Sequence, residues 1–177
     1  WPVVTVFDDC EGLPVHSVNL NNIAMGYDAA RRFLKLRHRR FAVLVPDTSG
    51  DYFSDHAVCS EQAWRETGLP AEGFHRVCLP LNRSRVPALR KLLASETRPT
   101  AIYSSTATFL PELLDVLRKL RLSVPRDVSL IMSAGATRSP EMPRAVDTIL
   151  INFQKVGRLA FDTLLAVYTG TAVNALT

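Results

Sequence analysis

Cysteine is scarce: Cys10, Cys59 and Cys78 are the only three, and they sit in no CxxC or Cys/His pattern. That rules out a disulfide framework as the main source of stability and offers no zinc-binding spacing. Free, mostly buried thiols in a reducing cytoplasm are the expectation. No stretch approaches the roughly 18 consecutive apolar residues of a membrane-spanning helix. The opening WPVVTVFDD lacks the basic start and small-residue cleavage site of a secretion signal, so the chain reads as soluble. It begins on a strand-like run without an initiator Met, which reads as an internal start within a longer protein. Neither GxGxxG nor GxxxxGK followed by Ser or Thr occurs, so a phosphate-cradling glycine loop has no support and no cofactor is expected. Internal repeats, low-complexity tracts and flexible linkers are also missing.

What is present is a chain of 177 residues with 47% hydrophobic content, enough to bury one good core or two small lobes without metals or cross-links. The net charge is +4 and the pI about 9.2, with positive charge concentrated in Arg31, Arg32, Lys35, Arg37, Arg39 and Arg40. Short β-branched runs alternate with segments of helical period along the whole length, the signature of βαβ units. Strands are predicted at Val3 to Phe7, Ser17 to Leu20, Phe41 to Val45, Phe74 to Leu79, Ala101 to Ser104, Val128 to Met132 and Thr148 to Ile151. Helices are predicted from Asn21 or Asn22 to about Leu36, and over Phe53 to Thr67, Val86 to Ser95, Phe109 to Leu120 and Phe153 to Tyr168. Phe41 to Val45 is apolar throughout, as a strand buried on both faces must be. Gly68 is placed to end the second helix because it tolerates positive φ. Turn-rich composition marks Asp8 to Pro14, Asp47 to Gly50 and Ala134 to Pro143 as loops. The fold class expected is α/β, a parallel sheet flanked by helices on both faces through right-handed crossovers.

Few residues carry chemistry. Asp8 and Asp9 form a carboxylate pair that could hold a cation or sugar hydroxyls, although a solvated turn accounts for them. Asp55, His56 and Cys59 lie one helical turn apart, but without a glycine elbow or a third partner they do not make a nucleophile with its base. The run RRFLKLRHRR, Arg31 to Arg40, could contact phosphates. The plainer reading is a helix whose C-terminal positive charge complements the macrodipole, with Phe33, Leu34 and Leu36 in the core and Ile23 and Ala30 on the same apolar side. His16, His38 and His75 read as ordinary polar residues, and Trp64, Phe109 and Phe161 as core. The chain is not expected to be an enzyme.

Three stretches taken together resemble the sensor domain of the lactose-repressor (LacI/GalR) family of bacterial transcription regulators. They are PVVTVFDDCEGLPVHSVNLNN through GYDAARRFLKLRHRRFAVL, the run LLDVLRKLRLSVPRDVSLI, and VDTILINFQKVGRLAFDTLL. The resemblance implies a type I periplasmic-binding-protein-like fold of two α/β lobes joined by three crossings, with a small effector held between them. On that reading residues 1–39 are a first-lobe strand and crossing helix, 40–133 the second lobe, and 134–177 the return crossing and final helix. It also implies a cytoplasmic homodimer that contacts DNA only through a domain outside this chain. The dimer seam is expected on the helices holding Leu89, Leu92 and Leu93, and Leu113, Leu114 and Leu117.

The pocket positions depart from the family. Where the family often has charged or amide side chains, this chain has Phe7, Ser60, Thr106, Ala107, Ala134, Gly135 and Ile151, and the family's "GFDD" run as a whole aligns with Met132, Ser133, Ala134 and Gly135. The ligand-binding residues expected on this side are Phe7, His56, Ser60, Thr106 and Ala134. The effector is accordingly expected not to be an ordinary sugar held by this lobe alone. Two further functions share the fold: a solute-binding protein of a transport system, and a dimerisation module that has lost its ligand.

Overall fold

The computed structural model describes residues 1–8, 10, 12–48, 53–135 and 143–171. Asp9 and parts of the predicted loops after Pro46 and Ala134 lie outside the described residues. The elements in chain order are β1 (Val4–Val6), β2 (His16–Val18), α1 (Asn22–Lys35), β3 (Phe41–Pro46), α2 (Ser54–Arg65), β4 (Phe74–Leu79), α3 (Val86–Ala94), β5 (Ala101–Ser104), α4 (Leu110–Lys119), β6 (Ser129–Gly135), β7 (Asp147–Ile151) and α5 (Phe153–Thr169). They fall into two compact units, one of residues 22–150 and one of residues 1–21 with 151–177. Helix α1, expected with residues 1–39, therefore belongs to the larger unit.

The larger unit is built on a five-stranded sheet in the order β4-β3-β5-β6-β7. Strands β4, β3, β5 and β6 run parallel, with Phe41 opposite Phe74 and Ala101, and Ala101 opposite Ser129. Successive side chains of a strand point to opposite faces, so the buried strands feed two separate cores. Phe41, Val43, Val45, Ala101, Tyr103 and Ile131 pack with Ala29, Ala30 and Phe33 of α1 and with Ala57, Ala63 and Trp64 of α2. Ala42, Leu44, Ile102, Leu130 and Met132 pack with Leu89 and Leu93 of α3 and with Leu113, Val116 and Leu117 of α4. This is the helix-covered parallel sheet expected, and β3 is buried on both faces along its full length.

The first core is aromatic. The Phe41 ring centroid lies 5.4 Å from both Phe33 and Phe74, and 6.4 Å from Trp64, whose indole N–H donates to the Pro70 carbonyl at 3.1 Å. At the amino edge His38 hydrogen-bonds Thr100 (2.9 Å) and Ser129 (3.1 Å), which ties the entries of β5 and β6 together. Gly26 brings α1 so close to α2 that a Cβ there would overlap the His56 backbone. Gly68 has φ +68°, the positive value anticipated just past α2.

Several expectations are corrected. Ile23, in the first turn of α1, and Leu36, one residue past its end, are exposed. Phe161 is exposed too, on the side of α5 opposite Val156 and Thr163. Leu89, Leu93, Leu113 and Leu117 are buried in their own core, so among the proposed seam residues only Leu92 and Leu114 retain exposure. Of the three cysteines, Cys78 is exposed and Cys10 half-buried; only Cys59 is buried. Strand β6 runs three residues past Met132 to Gly135, which removes Ala134 from the predicted loop.

The smaller unit pairs β1 with β2 in parallel, Val4 opposite His16, alongside α5. Asn152 caps α5 by accepting from the Lys155 N–H at 2.9 Å, and Gly170, in the left-handed region, ends it. No helix of the described residues is long and apolar enough to cross a membrane.

Candidate functional site

Topology places the site before any side chain is considered. The first strand of the large sheet, β3, lies between the second, β4, and the third, β5. Connections from β3 and β5 leave in opposite directions, which makes their carboxyl ends the topological switch point, the position where doubly wound sheets hold ligands. At this edge lie the end of β3, and Ser104, Ser105 and Thr106 at the end of β5. Asp47 at the β3 exit donates its N–H to the Leu79 carbonyl at 2.8 Å, and the Ser105 N–H donates to the Leu44 carbonyl at 3.0 Å. Next to it, Arg85 fixes the loop after β4 by donating to the Pro80 and Leu81 carbonyls, both at 2.8 Å, and to Glu112 Oε1 at 2.9 Å.

Beneath this edge lies a buried polar layer. The Tyr103 hydroxyl is 2.8 Å from His56 Nδ1 and 2.8 Å from Ser133 Oγ. Tyr103 is fully enclosed, and His56 and Ser133 are each 2% exposed. Burial pushes the His56 imidazole down to about 4, so the ring is neutral at physiological pH. Its plane stacks against Phe53, with centroids 6.3 Å apart. Ser105 is 5% exposed, and its Oγ has no hydrogen-bond partner.

The four predicted ligand residues of the larger unit, His56, Ser60, Thr106 and Ala134, do not converge. His56 joins the polar layer. Ser60 is enclosed and donates to the Gly26 carbonyl at 2.8 Å, so its hydroxyl holds α1 against α2. Thr106 follows the carboxyl end of β5 but caps the short turn Ala107–Phe109: its hydroxyl accepts the Thr108 N–H at 3.2 Å and donates to Thr108 Oγ1 at 3.0 Å. Ala134 packs in the core under α3 and α4. Phe7 belongs to the smaller unit, with φ +63° and an edge-on contact to Phe153 at 6.0 Å. Asp8 closes a local turn by accepting the Cys10 N–H at 3.0 Å. Burial and the neighbouring Asp55 carboxylate both raise the Cys59 thiol, which opposes thiolate chemistry. No metal-binding group of three His, Cys, Asp or Glu exists among the described residues.

Tyr103 and Ser105 escaped the sequence reading, and Ser133 was aligned with a pocket position but not counted among the expected ligand residues. The signal was available: alternation along β5 and β6 sets residues 103 and 105, and 131 and 133, on one face, where three hydroxyls end two apolar strands.

The sequence model of the periplasmic binding protein-like domain matches residues 30–175. The chain belongs to that family. The HTH-type transcriptional regulator DegA of Bacillus subtilis (strain 168) is 24% identical over 130 residues, 73% of this chain and 39% of that protein. The crystal structure of a LacI transcriptional regulator from a Rhodococcus species superposes with a TM-score of 0.82 at 23% identity, covering 96% of this chain and 63% of that one. A LacI family transcriptional regulator from Enterococcus faecium, solved with bound ribose, gives a TM-score of 0.79 at 17% identity over 95% of this chain and 62% of that one. These regulators thus share the fold of this chain. It spans less than two thirds of the length of each of these relatives.

Proposed function

We propose that this chain is the effector-sensing module of a bacterial transcription regulator, in which a small molecule bound at the carboxyl edge of the large sheet alters the DNA affinity of a separate domain. The observation that carries the reading is the switch point between β3 and β5, with a buried polar layer beside it, in a periplasmic binding protein-like domain. Relatives named as regulators share the fold, which supports a regulatory output rather than catalysis. Sensing requires the ligand to bind one conformational state better than another, since equal affinity shifts nothing.

Self-association as a two-fold dimer is part of the proposal. Leu92 and Leu114 are the residues of the expected seam that remain free to contribute, and a symmetric interface uses each of them twice. The basic run Arg31 to Arg40 is not assigned to DNA: it lies on the last turns of α1 and the turn into β3, where Arg32 reaches Asp147 at 3.7 Å and Arg40 donates to the Glu96 carbonyl at 3.0 Å.

The test is gel retention of the full gene product on DNA upstream of its gene, with and without a panel of small metabolites. Retention that one metabolite changes is the expected result. A product that carries a secretion signal and retains no DNA would favour the solute-binding protein of a transport system instead.

A further inference from the structure

We propose that Ser105, Ser133, Tyr103 and His56 form the floor of the ligand site and receive an uncharged group of the ligand, a hydroxyl or an amide, that completes the hydrogen bonding of Ser105. This deepens the sensing reading above and rests on it. The observation behind it is the orphaned hydroxyl. Ser105 Oγ is buried without a partner at the end of β5, one strand position past the pair Ser104 and Met132. Continuing that register sets Ser105 beside Ser133, and alternation turns both toward α2, the face that carries Tyr103. Buried hydroxyls are almost always bonded, and an exception calls for a water, an ion or a ligand to complete it.

An uncharged group fits this layer best. An ion that enters loses its hydration and needs a counter-charge in return. The His56 ring is neutral and the other three groups are hydroxyls. Asp47 at the end of β3 and Asp55 in the first turn of α2 oppose an anion, and Arg85 is already committed to Glu112. Among the described residues, an ammonium group would find hydroxyl oxygens but no carboxylate within the layer.

The Tyr103 hydroxyl also lets the layer reverse its polarity. With its proton donated to His56 Nδ1, it accepts from Ser133, whose lone pairs then face the ligand as acceptors. With the imidazole proton on Nδ1, Tyr103 accepts from His56 and donates to Ser133, whose own proton becomes available to the ligand. A hydroxyl or amide can use either state because it both donates and accepts.

Calorimetry on the chain tests this with ribose, glucose and inositol as uncharged probes, and ribose 5-phosphate and gluconate as charged ones. At least one uncharged probe is expected to bind saturably, and Ser105→Ala and Tyr103→Phe are each expected to weaken it about tenfold. Ser105→Ala should leave the melting temperature unchanged or higher, because it deletes an unpartnered hydroxyl, so weaker binding by that variant cannot be assigned to misfolding. Binding of an uncharged probe that Ser105→Ala does not alter would overturn the inference and assign the partner of Ser105 to a buried water. Binding of the charged probes alone would overturn it while leaving the sensing reading in place. Failure of every probe to bind would count against both.

Discussion

Lowering the pH from 7 to 5 should destabilise the larger unit through His56. The ring is enclosed against Tyr103 and Phe53, and burial holds it at about 4 against the ordinary 6.5. A group whose folded value is depressed binds protons more weakly when folded than when unfolded. Its contribution is therefore fully present above pH 6.5 and is lost as the pH falls toward 4. A depression of about 2.5 units corresponds to roughly 3 kcal/mol in full, of which about 2 kcal/mol is lost between pH 7 and pH 5. His38, also lowered by burial, acts in the same direction, and so the wild-type curve alone does not isolate His56. Urea unfolding of wild type and His56→Gln at both pH values does isolate it. The glutamine variant should be less stable at pH 7, yet its loss on going to pH 5 should be smaller by about 2 kcal/mol. Equal losses in the two proteins would refute the argument that His56 is held neutral by its surroundings.

Three other outcomes follow from the packing. Gly26→Ala should lower stability by about 1 to 3 kcal/mol in urea unfolding, because the new methyl group meets the His56 backbone and α1 must move. Ser60→Ala should cost about 1 kcal/mol by leaving the Gly26 carbonyl without its donor, and should not change ligand affinity by calorimetry. Glu112→Ala leaves the largely buried Arg85 guanidinium with two carbonyls and no carboxylate, and a loss of about 2 kcal/mol is expected by thermal or urea unfolding, less than for a fully buried pair because Glu112 is partly exposed.

The sheet was legible because its strands are short apolar runs with clear ends. Phe74–Leu79 and Ala101–Ser104 have the predicted bounds, and Phe41–Pro46 extends the prediction by one residue. The end of β6 was not, because Ser133, Ala134 and Gly135 have the composition of a loop; the strand's inner place in the sheet, between β5 and β7, is not visible in that composition. Ile23 and Leu36 obey the helical period of α1, but periodicity does not say where burial along the helix stops.

The site was less legible for a related reason. Counting positions against a family pattern led to Ser60 and Ala134, both of which face the protein interior. Tyr103, within an apolar strand, reads as core from its neighbours, and its hydroxyl matters only because α2 brings His56 to meet it. That contact joins residues 47 positions apart, and no local pattern encodes it.

The most direct test of the account is a two-dimensional NMR titration of the chain with small metabolites. The account predicts saturable shifts concentrated at Asp47, Ser104 to Thr108 and Ser133, along the carboxyl edge of β3, β5 and β6. Saturable shifts centred instead on the amino edge, around His38, Thr100 and Ser129, would contradict it.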